Sequence, residues 1–110
     1  MPQDLTANLE ALLAKGSDSP ALRLALATRY LDAGDAAAAV RHAAGALALD
    51  AEYSAAWKVL GRAQAASGDT AAAAGTYRRG IEVADRRGDR QAAKEMQVFL
   101  KRLEKAAGGG

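Results

Sequence analysis

The chain is predicted to be all-α, a short solenoid of about six helices stacked as antiparallel pairs, and three observations predict it. Gly34-Asp35 recurs 34 residues later as Gly68-Asp69, and each pair divides two alanine-rich stretches in the same way, with Leu26 answering to Leu60, Ala39 to Ala73 and Leu47 to Ile81. Apolar residues return at the period of an amphipathic helix, whereas β-branched residues are few and never alternate as a strand requires. A repeat of this length is one helix pair that cannot bury its apolar face alone. Neighbouring pairs must cover it, which leaves one concave side free.

The elements follow in order. A first helix is expected over about Asp4 to Lys15, with Leu5, Leu9, Leu12 and Leu13 on one face and Gly16 to end it. Those leucines lie 34 residues before Ala39, Ala43, Ala46 and Leu47, so this helix is a half repeat that caps the N-terminal end of the stack. The second begins after Ser17-Asp18-Ser19-Pro20, where Ser19 can accept orphan N–H groups and Pro20 at the first helical position loses no hydrogen bond, and it ends near Ala33. Gly34 supplies the left-handed residue that stops a helix and Asp35 caps the next. The third, fourth and fifth helices are then expected over Ala36 to Leu49, Tyr53 to Ser67 and Thr70 to Arg86, and the sixth over Asp89 to Lys105. Residues 108–110, all glycine, are expected to form a disordered tail.

In the last helix a strict 34-residue period would place Gln91, Lys94 and Glu95 in the core. A shift of two residues, absorbed near Asp85-Arg86-Arg87-Gly88, places Ala93, Met96 and Leu100 there instead, with Phe99 and Leu103 beside them. The shifted register makes this helix the C-terminal cap. The alternative is that Met96, Val98, Phe99 and Leu100 form an exposed amphipathic face toward a membrane or a partner helix.

Composition narrows the function. In 110 residues there is no cysteine and one histidine, which excludes a disulfide framework, a thiolate nucleophile and a zinc–cysteine site. His42 has no second histidine, nucleophile elbow or phosphate loop to complete a catalytic or metal site, and its place one residue off the core row predicts an exposed or half-exposed helix residue. No enzyme, cofactor or metal is expected. No stretch approaches the roughly 20 apolar residues that cross a bilayer, and nothing at the N-terminus resembles a signal peptide, so a cytoplasmic location is expected. Residues 1–54 carry four basic and seven acidic side chains and residues 55–110 carry eleven and six, so the halves bear −3 and +5. The C-terminal half therefore favours anionic partners, although solvated helix faces collect Arg and Lys for solubility too.

With Gly34 and Gly68 counted as the fifteenth residues of their units, the first unit is residues 20–53 and the second 54–87. The first carries Arg23, Leu26, Ala27 and Tyr30 at its fourth, seventh, eighth and eleventh places, and the second carries Trp57, Leu60, Gly61 and Gln64. Further on come Ala39, Ala43 and Ala46, then Ala73, Tyr77 and Gly80. This pattern resembles the tetratricopeptide repeat (TPR), in which each unit places Trp, Leu, Gly and Tyr at the first four of those positions. Both units lack the family's proline after the second helix, with Ala51 and Asp85 in its place, so the junction after the second unit is expected to run on as extra helical turns. The resemblance implies a right-handed solenoid filling residues 1–107 as a single domain: a capping half repeat over 4–15, the two units, and a capping helix over 89–105.

It also implies a partner-binding groove lined by the first helices. Carried over by position, that groove has an apolar end at Leu24, Thr28 and Leu31 and a cationic end at Lys58, Arg62 and Lys94, with Val98 beside it. Lys58 and Arg62 are four residues apart and project from one helix face. The expected function is a non-catalytic adaptor for a protein or peptide, the cationic end being suited to an acidic group or a C-terminal carboxylate. A self-associating structural scaffold is the alternative, with the chain a monomer or weak homodimer. A nucleic-acid binder ranks last, because aromatic residues rarely interleave with Arg78-Arg79, Arg86-Arg87 and Arg90.

Overall fold

The structure, a computed structural model, describes residues 2–108. It contains α1 (Pro2–Ala14), α2 (Pro20–Asp32), α3 (Ala36–Leu49), α4 (Ser54–Ala66), α5 (Thr70–Arg87) and α6 (Arg90–Gly108), with no strand among the described residues. The sixth helix runs three residues past the expected Lys105, because Ala106 and Ala107 are strong helix formers. Gly108 is therefore helical, and the rest of the expected tail, Gly109 and Gly110, lies outside the described residues.

The turns repeat one piece of chemistry. Gly16, Gly34, Gly68 and Gly88 all have φ between 75° and 91°, the left-handed region that glycine enters without a Cβ clash. The next residue closes each turn with a long backbone bond, Asp35 N to Tyr30 O at 2.9 Å and Asp69 N to Gln64 O at 3.0 Å. Ser19, Asp35, Asp69 and Asp89 then accept from the backbone N–H three residues on, at 3.0 to 3.2 Å. Among α2 to α6, only α4 starts differently. Tyr53 makes no capping bond, and the Ser54 hydroxyl donates instead to Asp89 Oδ2 at 2.6 Å, tying the start of α4 to the cap of α6.

The two places that lack the family's proline behave differently. At the first, Asp50 takes an extended conformation and accepts from Glu52 N at 3.0 Å, so a side-chain turn does what a proline would do. At the second no such turn forms, and α5 continues through Asp85 to Arg87, four residues longer than α3. The turn that follows is two residues shorter than the one after α3, so the net insertion of two residues shifts α6. Ala92, Ala93 and Met96 are consequently buried, whereas Gln91 and Lys94 are exposed.

Each helix packs on the next, and α2, α4 and α6 also touch in series, while the backbones of α1, α3 and α5 stay apart. That asymmetry curves the stack toward the first helices, and the extents of 46 × 29 × 20 Å describe an elongated array in place of a closed bundle. Two apolar clusters run through it. Ala27, Ala43, Val59 and Leu60 pack with Leu24, Leu31, Val40 and Leu47; Ala73, Tyr77, Ala84, Ala92, Ala93 and Met96 pack with Trp57, Ile81, Phe99, Leu100 and Leu103. Large and small residues alternate across each seam, with the Tyr77 ring over Gly61 and Trp57 and Met96 over Gly80.

Candidate functional site

The concave face is built by α2, α4 and α6, and the seven expected groove residues fall on these three helices as follows. On α2, Leu24 and Leu31 are half-buried, leaning on the Val59 and Leu60 cluster, and Thr28 is exposed with its hydroxyl turned back to Leu24 O at 2.9 Å. Thr28 has therefore spent its donor within its own helix. On α4, Lys58 and Arg62 point across the seam toward α6. The Lys58 ammonium meets Glu95 at 3.3 and 3.4 Å, so the charge nearest the centre of the groove is already paired.

Arg62 behaves differently. Its guanidinium carbon stands 5.9 Å from the centroid of the Phe99 ring, and that of Arg102 stands 6.0 Å from the same centroid. Phe99 in turn stacks on buried Tyr77, with centroids 5.7 Å apart. Two arginines thus gather at one aromatic ring that the core holds in place, and such a ring attracts cations while leaving their N–H groups available. Val98 lies beside them with 46% exposure, a large apolar residue on open surface. Lys94 is exposed on the other flank of α6, lining a shallow depression with Asp85, Arg90 and Gln97. The pairing of Arg62 with Arg102 is not legible in the sequence, since Phe99 brings them together and sits on a different helix from Arg62.

His42 corrects an expectation. It is 5% exposed, not half-exposed, because the N-terminal helix closes over it. Its ring lies parallel to that of Tyr30 at 5.5 Å, Arg23 Nη1 meets Nδ1 at 3.3 Å, and Tyr30 donates to Glu10 Oε2 at 2.6 Å. Arg23 also chelates Asp18 at 2.9 and 3.1 Å and lies over Gly45, occupying the place at which the second unit puts Trp57. Since a guanidinium only donates, Nδ1 is the acceptor and the ring proton sits on Nε2, which has no hydrogen-bond partner among the described residues and lies 3.9 Å from Glu10. Burial pushes the imidazole below its ordinary pKa, with Arg23 and Arg41 acting in the same direction and Glu10 and Asp18 against it. One neutral histidine sealed between helices has the geometry of packing. No group of three or more metal-ligating side chains forms among the described residues.

A protein of Pseudomonas aeruginosa named as a TPR repeat-containing protein is 48% identical to this chain over 98 residues, covering 89% of this chain and 93% of that protein. The chain belongs to the tetratricopeptide repeat proteins. The solution structure of a Bordetella parapertussis protein is also similar, at 42% identity and a TM-score of 0.81, covering 92% of this chain and 88% of that one. No family model matches the chain. The departures that a pattern would miss are visible in the structure: in this TPR stack Arg23 stands for Trp, and Gln64 replaces Tyr and accepts from the Thr76 hydroxyl at 2.6 Å. TPR units are protein-interaction modules, and no described helix here is long and apolar enough to cross a membrane.

Proposed function

We propose that the chain is a non-catalytic adaptor that holds a peptide segment in the groove of α2, α4 and α6. The segment lays an apolar side chain against Leu24 and Leu31 and turns an acidic group, a side chain or a C-terminal carboxylate, toward Arg62 and Arg102. The observation that carries this reading is the pair of arginines at the Phe99 ring, since neither has a carboxylate partner among the described residues while Lys58 is occupied by Glu95. A guanidinium drawn to a ring keeps its planar N–H fork free for bidentate contact with a carboxylate. Charge-assisted bonds of about 1.5–3 kcal/mol each orient a ligand, and micromolar affinity needs only about −8 kcal/mol in total.

Lys58 joins the ligand only by releasing Glu95, so it tunes the site, and Glu95 competes with any incoming acid. Affinity capture from native lysate tests the reading, with wild type beside Arg62→Glu/Arg102→Glu and beside Glu95→Gln. The double reversal should keep its helical circular dichroism and lose its captured proteins, and Glu95→Gln should retain or strengthen capture. Equal capture by wild type and the double reversal would remove the groove from consideration.

A further inference from the structure

The N-terminal end of the stack carries an apolar seam that the rest of the fold has no counterpart for. α1 has the register of a second helix, and the positions equivalent to Leu5 and Leu12 are sealed in both complete units: Ala39, Ala46 and Ala73 are 0% exposed, and Gly80 is buried. In α1 the same positions hold leucines that are 48% and 45% exposed. The chain uses its smallest residues where a first helix covers these places and large ones where none does. Leucines two turns apart on one face, about 10 Å along the axis, are a surface that lowers its free energy by being covered.

What covers them is decided by what else the molecule offers. The free flank of α6, at the other end of the stack, presents Arg90, Gln97 and Lys101, all exposed and polar, so it cannot take the leucines in a head-to-tail array. The other exposed large apolar residues, Leu49 and Val98, stand singly on different helices. The matching seam is α1 itself. An antiparallel pair about a two-fold axis sets Leu5 against the partner's Leu12 and Leu12 against the partner's Leu5, an arrangement that closes on itself. Charge permits the antiparallel pair: residues 2–15 contain two acids, Asp4 and Glu10, and one base, Lys15, for a net of only −1. The two helix dipoles then oppose.

We propose that the chain forms a weak two-fold dimer through antiparallel α1 helices, with Leu5 of each copy packed on Leu12 of the other. One helix pair buries less than the roughly 1,200–2,000 Å² of a stable complex, so the dimer is concentration-dependent. The groove of α2, α4 and α6 stays open in it, so the dimer stands or falls independently of the adaptor reading.

Sedimentation from micromolar to millimolar protein tests the association, and cysteine pairing tests the register in a chain that has no cysteine of its own. The wild-type mass should rise toward twice the monomer. Leu5→Glu/Leu12→Glu should weaken association by about tenfold or more, about 1.4 kcal/mol, with unchanged helicity, while Val98→Glu should dimerise as wild type does. Under mild oxidation, an equimolar mixture of Leu5→Cys and Leu12→Cys chains should give mixed disulfide dimers in excess of either homodimer. A wild-type monomer at millimolar concentration, growth past the dimer, or a preference of Leu5→Cys for itself would overturn the proposal.

Discussion

Gly61 and Gly80 set the helix spacing in the second unit by what they lack. A Cβ at Gly61 would lie 2.7 Å from two atoms of the Tyr77 ring, and one at Gly80 would lie 2.6 Å from Met96 Sδ and 2.7 Å from Trp57 Cβ. Tyr77 is 2% exposed and has nowhere to move, and Trp57 Cβ is fixed to its own backbone. Gly61→Ala is therefore expected to cost about 1–3 kcal/mol through overpacking. Gly75 is the contrast, since it sits on an exposed helix face where an added methyl would meet nothing within 4 Å. There Gly→Ala should add about 0.5–1 kcal/mol, because only the backbone entropy changes. Urea midpoints of the two variants should move in opposite directions; a shared direction would mean that helix propensity, not the Tyr77 contact, governs Gly61. Residue-level packing of this kind was legible where the residue falls on a packing position of the family pattern, as with Tyr77 and Trp57. It was not legible for His42, whose burial depends on Glu10 and Tyr30 from two other helices and on no local pattern.

At the scale of elements, the Gly-Asp turns made nearly every boundary readable, because a left-handed glycine followed by an acidic cap leaves a helix one place to stop and one to start. The shift in α6 was readable too, from Met96 and Ala93 against Gln91 and Lys94. The pairing of Lys58 with Glu95 and the convergence of Arg62 and Arg102 were not, since they arise between helices whose relative rotation depends on the extra turn of α5. The caps themselves are unequal. Asp69 accepts one backbone bond on an exposed turn, whereas Asp89 caps α6 and accepts from Ser54, which holds its carboxyl below the usual range. Asp69→Ala should cost about 0.5–2 kcal/mol, the usual value of an N-cap. Asp89→Ala should cost about 1 kcal/mol more, because it also leaves the Ser54 hydroxyl, 9% exposed, without its acceptor. Thermal melts of the two variants compare them directly, and an equal loss would assign no weight to the tie between α4 and α6.

Across the whole molecule the stack is unevenly secured, and pH should reveal where. The α6 end is held by contacts to both α5 and α4, while α1 packs along α2 alone and adds the polar bridge of Glu10, Tyr30 and His42. His42 is the chain's one histidine, and among side chains with ordinary pKa values only histidine changes charge between pH 5 and 8. Its folded pKa lies below the ordinary 6.5, chiefly through burial. The unfolded chain therefore binds the proton more readily, so stability is full above about pH 6.5 and declines as pH falls from there through the folded pKa. The groups that surround the ring set this sign: Arg23 and Tyr30 from α2, Glu10 from α1, Asp18 from the preceding turn and Arg41 from α3 itself, with Glu10 too distant at 3.9 Å to compensate an imidazolium that must also surrender Arg23. The lowered carboxyls of Asp18, Glu52 and Asp89 act in the same sense only nearer pH 4, so the two windows separate. Melting temperatures between pH 7.5 and 5 should fall for wild type and stay level for His42→Gln, which keeps a hydrogen-bonding amide and removes the titration. A wild-type curve that stays level or rises toward acid would place the imidazolium comfortably beside Glu10, and the N-terminal helix would then be held more tightly by protonation than without it.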